Sequence, residues 1–251
     1  MDGDTDIGGP GRRFPATRLS MVVAAGGRDG EVRARAFEAL VAAYWKPVYK
    51  YVRIKWGASN EDAKDLTQGF FALAYEKAFF ARYDPARARF RTYLRICLDG
   101  FVANQRKAEQ RLKRGGHAET LSLDFEDAEE ELRHCDVTDS LDMEQYFHRE
   151  WVRHLFGLAV AALRERCKAN GKNAQYRLFE RYDLEGPDAA ERVSYAQLAL
   201  EFGLPATQVT NYLAWARREF RGIVLDTLRD LSGSDEEFRA EARLVLGVEP
   251  P

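Results

Sequence analysis

The chain has 251 residues, of which 45% are hydrophobic and 31% charged, and its net charge is −2. This length suits two small domains, and the hydrophobic content can fill real cores, which excludes wholesale disorder. No run approaches the roughly twenty apolar residues that a membrane span needs, and the glycine-rich start does not resemble a secretion signal, so we expect a cytoplasmic protein. The three cysteines are an odd number and widely spaced, which does not suit a disulfide framework.

Hydrophobic residues recur at helical spacing along almost the whole chain after residue 16, and we find no alternating strand pattern. We therefore expect an all-α protein. Pro47 lies inside the first long helix and is expected to kink or divide it, whereas Ser59 and Ser194 are expected to cap later helices. Helices are predicted at about 31–56, 60–79, 90–112, 144–170, 176–182, 195–202, 207–231 and 234–248.

The small net charge hides a strong asymmetry along the chain. Residues 82–114 contain ten Lys or Arg against three Asp or Glu, whereas residues 115–144 contain eleven acids against one Arg. Because the acidic stretch has little periodicity, it is predicted to be a flexible linker between two small helical domains. The expected organisation is a tail (1–16), a first domain (17–114), the acidic linker (115–143), a second domain with a helix-turn-helix (144–232) and a C-terminal extension (233–251).

The third predicted helix and the loop before it interleave positive charges with aromatic rings. Cations bind a nucleic-acid backbone and rings stack on unpaired bases, so this mixture favours binding of single-stranded DNA. The loop 83–90 is suited to form the pocket that a flipped base requires. A position in the core is an open alternative for Phe90 and the favoured one for Phe101. The candidate contacts are Tyr83, Arg89, Phe90, Arg91, Tyr93, Arg95, Asn104, Arg106, Lys107 and Arg111.

Residues 195–209 have the spacing of a DNA-reading helix-turn-helix. Ala199 is small where the two helices would cross, and Gly203 stands at the turn, where a left-handed backbone favours glycine. A plain helical hairpin with a polar surface is the alternative. The second helix would present Thr207, Gln208, Thr210 and Asn211 to base edges, and then Arg217, Arg218 and Arg221 to phosphates.

The start of the second predicted helix carries an acidic face formed by Glu61, Asp62, Asp65 and Gln68. Acids at this position stabilise the helix dipole, and they are equally suited to docking on a basic partner, so the residues alone leave both interpretations open. We find no phosphate-cradling glycine loop, nucleophile motif or zinc-ligand spacing. We therefore expect no enzyme activity, metal or cofactor.

Taken together, these segments resemble the sigma factors of bacterial RNA polymerase, specifically the extracytoplasmic-function group. Residues 61–71 (EDAKDLTQGFF) are similar to the family's second conserved region, residues 90–94 (FRTYL) to the start of its promoter-melting helix, and residues 195–220 to its fourth region. The family usually has Trp where Tyr93 stands and a more basic front to its recognition helix. Shorter similarities, which extend the resemblance over nearly the whole chain after residue 16, lie at 17–22, 44–48, 113–116 and 121–124.

The resemblance implies a role for each segment in transcription initiation. The acidic face would dock on the clamp helices of the polymerase core, and the third helix with its preceding loop would capture single-stranded promoter bases. The helix-turn-helix would read duplex promoter DNA upstream, and the linker would thread a basic channel of the polymerase. An anti-sigma protein or another regulator would be a further partner. Two other classes stay open: a helix-turn-helix regulator that binds duplex DNA without polymerase, and a helical interaction protein that binds no DNA.

Overall fold

The structure is a computed structural model that describes residues 20–109, 123, 125–133, 142–185 and 193–250. Within these ranges the chain is helical and has no strand, which confirms the all-α prediction. The predicted tail 1–16, Arg111, Cys135 and most of the linker lie outside them. The α-helices in this part of the chain are α1 (Met21–Ala25), α2 (Gly30–Lys55), α3 (Asn60–Glu76), α4 (Phe90–Glu109), α5 (Phe125–Arg133), α6 (Met143–Ala169), α7 (Asn173–Phe179), α8 (Tyr195–Phe202), α9 (Ala206–Asp230) and α10 (Asp235–Leu246).

Two helices begin at serine caps that the sequence predicts. The hydroxyl of Ser59 accepts a hydrogen bond from the Asp62 N–H (3.1 Å) at the start of α3, and Ser194 forms a capping box with Gln197 at the start of α8. Both are predicted caps. Pro47 does not divide α2, because neighbouring helices bury that part of α2 and their packing compensates for the hydrogen bond that proline removes.

The main hydrophobic core surrounds α2, with α1, α3, α5 and α6 packed against it. Leu40, Tyr44 and Val48 of α2 are buried, and the ring of Tyr44 stacks on that of Trp151 from α6 at 6.0 Å between centroids. The same core continues into the second half of α9 and into α10. The two segments predicted as separate domains therefore share one core within the described residues, because the apolar faces of α2 and α6 bury each other.

A smaller hydrophobic cluster joins the end of α7, α8 and the first half of α9. Its four fully buried members are Leu178, Leu198, Val209 and Leu213. Among the described residues of the predicted second domain, this part alone has apolar contacts separate from the main core. None of the helices in the described ranges combines the length and the apolar composition needed to cross a membrane.

Part of the predicted linker is a packed helix. α5 lies along α2, and the ring of Phe125 meets the ring of Trp45 edge-on at 5.5 Å. The prediction of a flexible linker is wrong for this stretch, because the acids that suggested a solvated segment are neutralised by cations of α2. The ion pairs between the two helices are Lys46–Asp127, Lys46–Glu131, Lys50–Glu131 and Arg53–Glu129.

A buried ion pair fixes α6 against α2. The Nζ of Lys50 lies 2.9 Å from the Oε2 of Glu150, and each side chain is at most 3% exposed. Glu150 also accepts a hydrogen bond from Arg153 at 2.5 Å. Sliding α6 along α2 by one turn would break this pair and leave Lys50 with Glu131 alone and Glu150 with Arg153 alone. Since a buried charge is costly without its partners, the pair favours a single register.

Candidate nucleic-acid interface

A cavity of about 470 Å³ lies between α3, α4 and the 3-10 turn Phe79–Arg82 that connects them. This volume falls in the range of about 300–1,000 Å³ that is typical of small-ligand pockets. Its wall combines aromatic rings, a cation and an amide, which suits a planar base that stacks and forms hydrogen bonds. The residues that carry this chemistry are Phe79, Arg82, Tyr93, Cys97, Phe101 and Asn104.

Two of these wall residues, Tyr93 and Asn104, were predicted from the sequence as DNA contacts. The sequence did not single out Phe79 or Cys97, because each has an ordinary helical pattern around it. These residues come together only where the faces of α3 and α4 meet the connecting turn. The spacing of residues along one helix does not reveal such a contact.

Tyr93 is held in a fixed orientation in the cavity wall. Its hydroxyl donates a hydrogen bond to the carbonyl oxygen of Phe79 at 2.7 Å, and its ring lies 5.5 Å from that of Tyr83. Burial, assisted by the neighbouring Cys97, raises the pKa of Tyr93 to about 12. The hydroxyl, which donates to Phe79, can still accept a hydrogen bond from a bound base.

Phe90 corrects one of the predicted contacts. Its side chain is fully buried, with ring centroids of Tyr44, Phe80 and Tyr83 at 5.6, 5.2 and 5.2 Å. A DNA base cannot stack on this ring in the structure described. The core position, which the sequence left open, is the one that Phe90 takes, because the ring is at the first turn of α4 and faces α2.

The first turn of α4 is covered by the C-terminal helix α10. Glu237 of α10 accepts hydrogen bonds from the hydroxyl of Tyr83 at 2.7 Å and from the backbone N–H of Phe90 at 2.5 Å. Burial and the bond to Glu237 raise the pKa of Tyr83 far above its ordinary value. One predicted DNA contact, Tyr83, is therefore engaged by a segment whose role the sequence did not indicate.

Two predicted arginine contacts are engaged by the same helix. Glu241 of α10 forms an ion pair with Arg91 and lies 3.5 Å from the Nε of Arg89. The guanidinium of Arg91 also lies over the ring of Trp151, 5.2 Å from its centroid. Both arginines thus have partners within the chain, which composition alone could not show.

The remaining predicted contacts on α4 divide into engaged and exposed groups. Arg95 pairs with Glu144 at 3.0 Å, and Arg106 stacks on Trp56 at 5.1 Å from its ring centroid. Arg111 lies outside the described residues. The predicted contacts on α4 whose side chains are exposed are Asn104 and Lys107.

The predicted acidic face lies on the surface of α3. Glu61, Asp62 and Asp65 are exposed and Gln68 is half-buried. Glu61 pairs with Lys64 at 3.0 Å, and Asp62 accepts a hydrogen bond from the hydroxyl of Ser59 at 2.7 Å. The face is open to a basic partner, and it also stabilises the helix start locally, so the structure is consistent with both interpretations.

The predicted DNA-reading residues lie on the first turns of α9, which follows α8 after a short connection. Gly203 ends α8 with φ +62°, in the left-handed region that favours glycine, as predicted. Thr207, Thr210 and Asn211 are exposed. Gln208 is half-buried and donates a hydrogen bond to the hydroxyl of Tyr212 at 2.6 Å, so its amide is partly engaged.

Arg217 has a structural contact where a phosphate contact was predicted. Its guanidinium donates two hydrogen bonds to Asp183, at 2.8 and 3.0 Å, and lies over the ring of Tyr182. The bonds to Asp183 hold the pKa of Arg217 above its ordinary value. Arg217 thus ties α9 to the π-helical turn Glu180–Leu184, whereas Arg218 and Arg221 are exposed.

Comparisons of the chain with protein-family models, with curated proteins and with solved structures each gave no match. Across the described residues, no group of three or more His, Cys, Asp or Glu side chains is arranged to hold a metal ion.

Proposed function

We propose that this protein is a sigma factor, which directs the core of bacterial RNA polymerase to specific promoters and assists promoter melting. The observation that supports this most strongly is the cavity between α3 and α4. A base of the non-template strand would stack beside Tyr93 and form hydrogen bonds with Asn104, while Arg82 would meet its phosphate. Each captured base offsets part of the few kcal/mol that are lost when a base pair is broken.

The exposed acidic face of α3 is the proposed docking surface for the polymerase core. The carboxylates of Glu61, Asp62 and Asp65 would meet basic side chains of the clamp helices. The amide of Gln68 would extend the same contact. Complementary charges at an exposed surface accelerate association and fix orientation. This role is independent of the cavity, so core binding and strand capture are separable activities.

The hairpin of α8 and α9 is the proposed reader of duplex DNA, as a helix-turn-helix. The side chain of Asn211 suits bidentate recognition of adenine, and Thr207 and Thr210 suit contacts with phosphates or thymine methyl groups. Arg218 and Arg221 would then contact phosphates. On the polymerase, we infer that the two helical segments separate into two domains joined by the acidic residues between them, because the resemblance assigns them to promoter elements at different places.

The proposed activity consists of binding steps and involves no covalent chemistry. It therefore requires no metal or cofactor. The protein would act in the cytoplasm, where RNA polymerase and promoter DNA are found, and an anti-sigma protein or another regulator would be an additional partner.

Run-off transcription tests the proposal directly. Purified bacterial core polymerase is given a library of promoter fragments with and without the protein. Transcripts that start only in its presence would support sigma activity and would reveal the promoter sequence. Absence of both transcripts and core binding would contradict the proposal and favour the stand-alone regulator.

A charge-reversal pair tests the docking surface separately. Asp62→Lys with Asp65→Lys should weaken core binding by about tenfold or more, because like charges then face each other. The matched control reverses two exposed acids elsewhere, Glu165 on α6 and Asp226 on α9, and should leave core binding unchanged. Equal affinities of the two variants would remove α3 as the docking surface.

The alternative function is a helix-turn-helix regulator that binds duplex DNA without polymerase. The separate apolar cluster of α7, α8 and α9 favours it, because such a unit can present a reading helix by itself. Tight core binding that depends on the acids of α3 would rule it out. The helical interaction protein that binds no DNA would show no steep salt dependence with DNA, whereas phosphate neutralisation gives a strongly negative slope.

A further inference from the structure

Glu237 of α10 fills an anion position at the start of α4. Its Oε1 accepts from the backbone N–H of Phe90 (2.5 Å), and its Oε2 accepts from the hydroxyl of Tyr83 and from the N–H of Gly233, both at 2.7 Å. The first N–H groups of a helix have no partner within the helix and attract carboxylates and phosphates alike. The carboxylate of Glu237 therefore satisfies donors that would otherwise be available to an anionic ligand.

Glu241 makes the second contact of this kind, one helical turn further along α10. It pairs with Arg91 and lies 3.5 Å from the Nε of Arg89, and it is buried. A carboxylate between two guanidinium groups has the charge and the acceptor geometry of a phosphate at an arginine-lined site. Both inward acids of α10 thus neutralise cations and donors of the surface at the start of α4, where Tyr83, Arg89 and Arg91 were predicted from the sequence as DNA contacts.

The fit between α10 and this surface is close. Phe238 and Ala242 are buried, and the guanidinium of Arg229 lies 4.3 Å from the ring centroid of Phe238. A Cβ added to Gly233 would lie 2.5 Å from Cε1 of Tyr83, so a larger residue at this position would force that ring or the start of α10 to move. These contacts distinguish α10 from a loosely attached terminal segment.

On the basis of the proposed function, we infer that α10 is an autoinhibitory helix. It closes the start of α4 to single-stranded DNA, and a bound strand must displace Glu237 and Glu241 with its own phosphates. Tyr83, the N–H of Phe90 and Arg91 cannot serve the helix and a strand at once, because each already has a carboxylate as its partner. The C-terminal extension thus lowers the affinity for free strands until α10 leaves α4.

The first test compares strand affinities of full-length proteins. The double variant Glu237→Gln with Glu241→Gln removes the two inward charges, and the matched control, Asp235→Asn with Glu236→Gln, removes two charges from the exposed face of the same helix. Binding of a fluorescein-labelled single-stranded oligonucleotide of mixed sequence is followed by fluorescence anisotropy. The inward variant should bind about tenfold more tightly than the wild type, whereas the control should show only the small gain that loss of repulsion gives.

A second measurement uses the wild-type protein and does not depend on the variants folding normally. Hydrogen exchange of the backbone amides in α10 should accelerate when the oligonucleotide is added, while the amides of α2 stay protected. Strand binding with equal affinity in all three proteins, or without faster exchange in α10, would overturn the autoinhibitory role and leave the proposed function intact. No strand binding by any of the proteins would overturn the inference together with the strand-capture part of the proposed function.

Discussion

Arg91, in the first turn of α4, forms an ion pair with Glu241 of α10, which lies 150 residues further along the chain. The side chain of Arg91 is 11% exposed and that of Glu241 is 5% exposed, so both charges are largely withdrawn from water. The pair joins the basic surface of α4 to the C-terminal extension. Part of the positive charge that the sequence presents as free is therefore already neutralised within the chain.

Breaking this ion pair should destabilise the protein. Arg91→Met leaves the buried carboxylate of Glu241 with only the more distant Arg89, and Glu241→Gln leaves the guanidinium of Arg91 without its carboxylate. Each should cost up to about 3 kcal/mol of free energy of unfolding. The double variant should cost less than the sum of the two, because neither partner is then left as a buried charge without the other. Urea unfolding monitored by circular dichroism gives the free energy of unfolding of the wild type, the two single variants and the double variant. Strictly additive losses would show that the two residues do not interact. The exposed pair Arg243–Glu249 supplies the control, since Arg243→Met should cost about 1 kcal/mol or less.

Replacing Tyr93 should impair promoter melting while sparing core binding. Tyr93→Ala removes a ring of the cavity wall, and with it about 1–3 kcal/mol of stacking energy for a captured base. Tyr93→Phe keeps the ring and loses only the hydrogen bond to the carbonyl oxygen of Phe79, worth about 1 kcal/mol, so most melting should remain. Permanganate reactivity of unpaired promoter thymines reports melting, and co-elution with core polymerase reports binding. Equal loss of both activities in Tyr93→Ala would contradict the separation of roles.

Asn211 should matter more than Gln208 for the choice of the upstream promoter element. Asn211 is exposed, whereas the amide of Gln208 is engaged with the hydroxyl of Tyr212. Asn211→Ala should therefore remove about 1–3 kcal/mol of discrimination at one base pair, and Gln208→Ala should remove less. Selection of binding sites from a randomised duplex library measures the base preference of both variants. As a control, Arg218→Ala should weaken binding to all sequences alike and flatten the salt dependence. Unchanged base preference in Asn211→Ala would refute its reading role.

Acidification should release α5 from α2. Hydrogen bonds from Arg53 hold the pKa of Glu129 below its ordinary value. Although burial alone would raise the pKa of Glu131, its hydrogen bonds to Lys46 and Lys50 lower it overall. A lowered pKa means that the docked helix favours the charged carboxylates. Their contribution to docking is therefore complete above the unfolded-state pKa of about 4.3 and is lost as the pH falls through the lower folded-state pKa.

Hydrogen exchange checks this pH dependence, with amides of α6 as an internal reference for the intrinsic effect of pH on exchange. Protection of residues 125–133 relative to α6 should fall below about pH 4.3. Glu129→Gln with Glu131→Gln should weaken docking at neutral pH and abolish most of the pH dependence. If acid lowered the protection of residues 125–133 equally in this double variant, groups other than Glu129 and Glu131 would hold α5 against α2.

Most of the long helices could be placed from the sequence, because periodicity and caps depend on neighbours within a few residues, whereas α1 and α5 were not predicted. Ser59 and Ser194 cap the helices that they were expected to cap, and Gly203 takes the left-handed backbone that the turn requires. Exposure of Glu61, Asp62 and Asp65 follows from helical periodicity in the same way. The sequence could therefore predict that the acidic face of α3 and the first turns of α9 lie at the surface. The partners of these surfaces are proposals.

Contacts between distant segments could not be predicted, because composition describes a charge and not its partner. The acids of α5 suggested a solvated linker, yet Glu129 and Glu131 form ion pairs with Lys46, Lys50 and Arg53 of α2. Arg217 suggested a phosphate contact, yet it pairs with Asp183. In each case a charge pattern typical of solvent or nucleic acid is satisfied inside the chain.

The sequence by itself determined that the described residues are largely helical, about where helices such as α3, α8 and α9 begin, and which residues of α3 and α9 meet the solvent, since these properties depend on short-range periodicity and capping. Only the tertiary structure decided that α2 and α6 share one core, that Phe90 is buried, and that α10 covers the start of α4. The physical reason is that a buried carboxylate such as Glu237 needs donors from any part of the chain, and the sequence does not specify which segment supplies them.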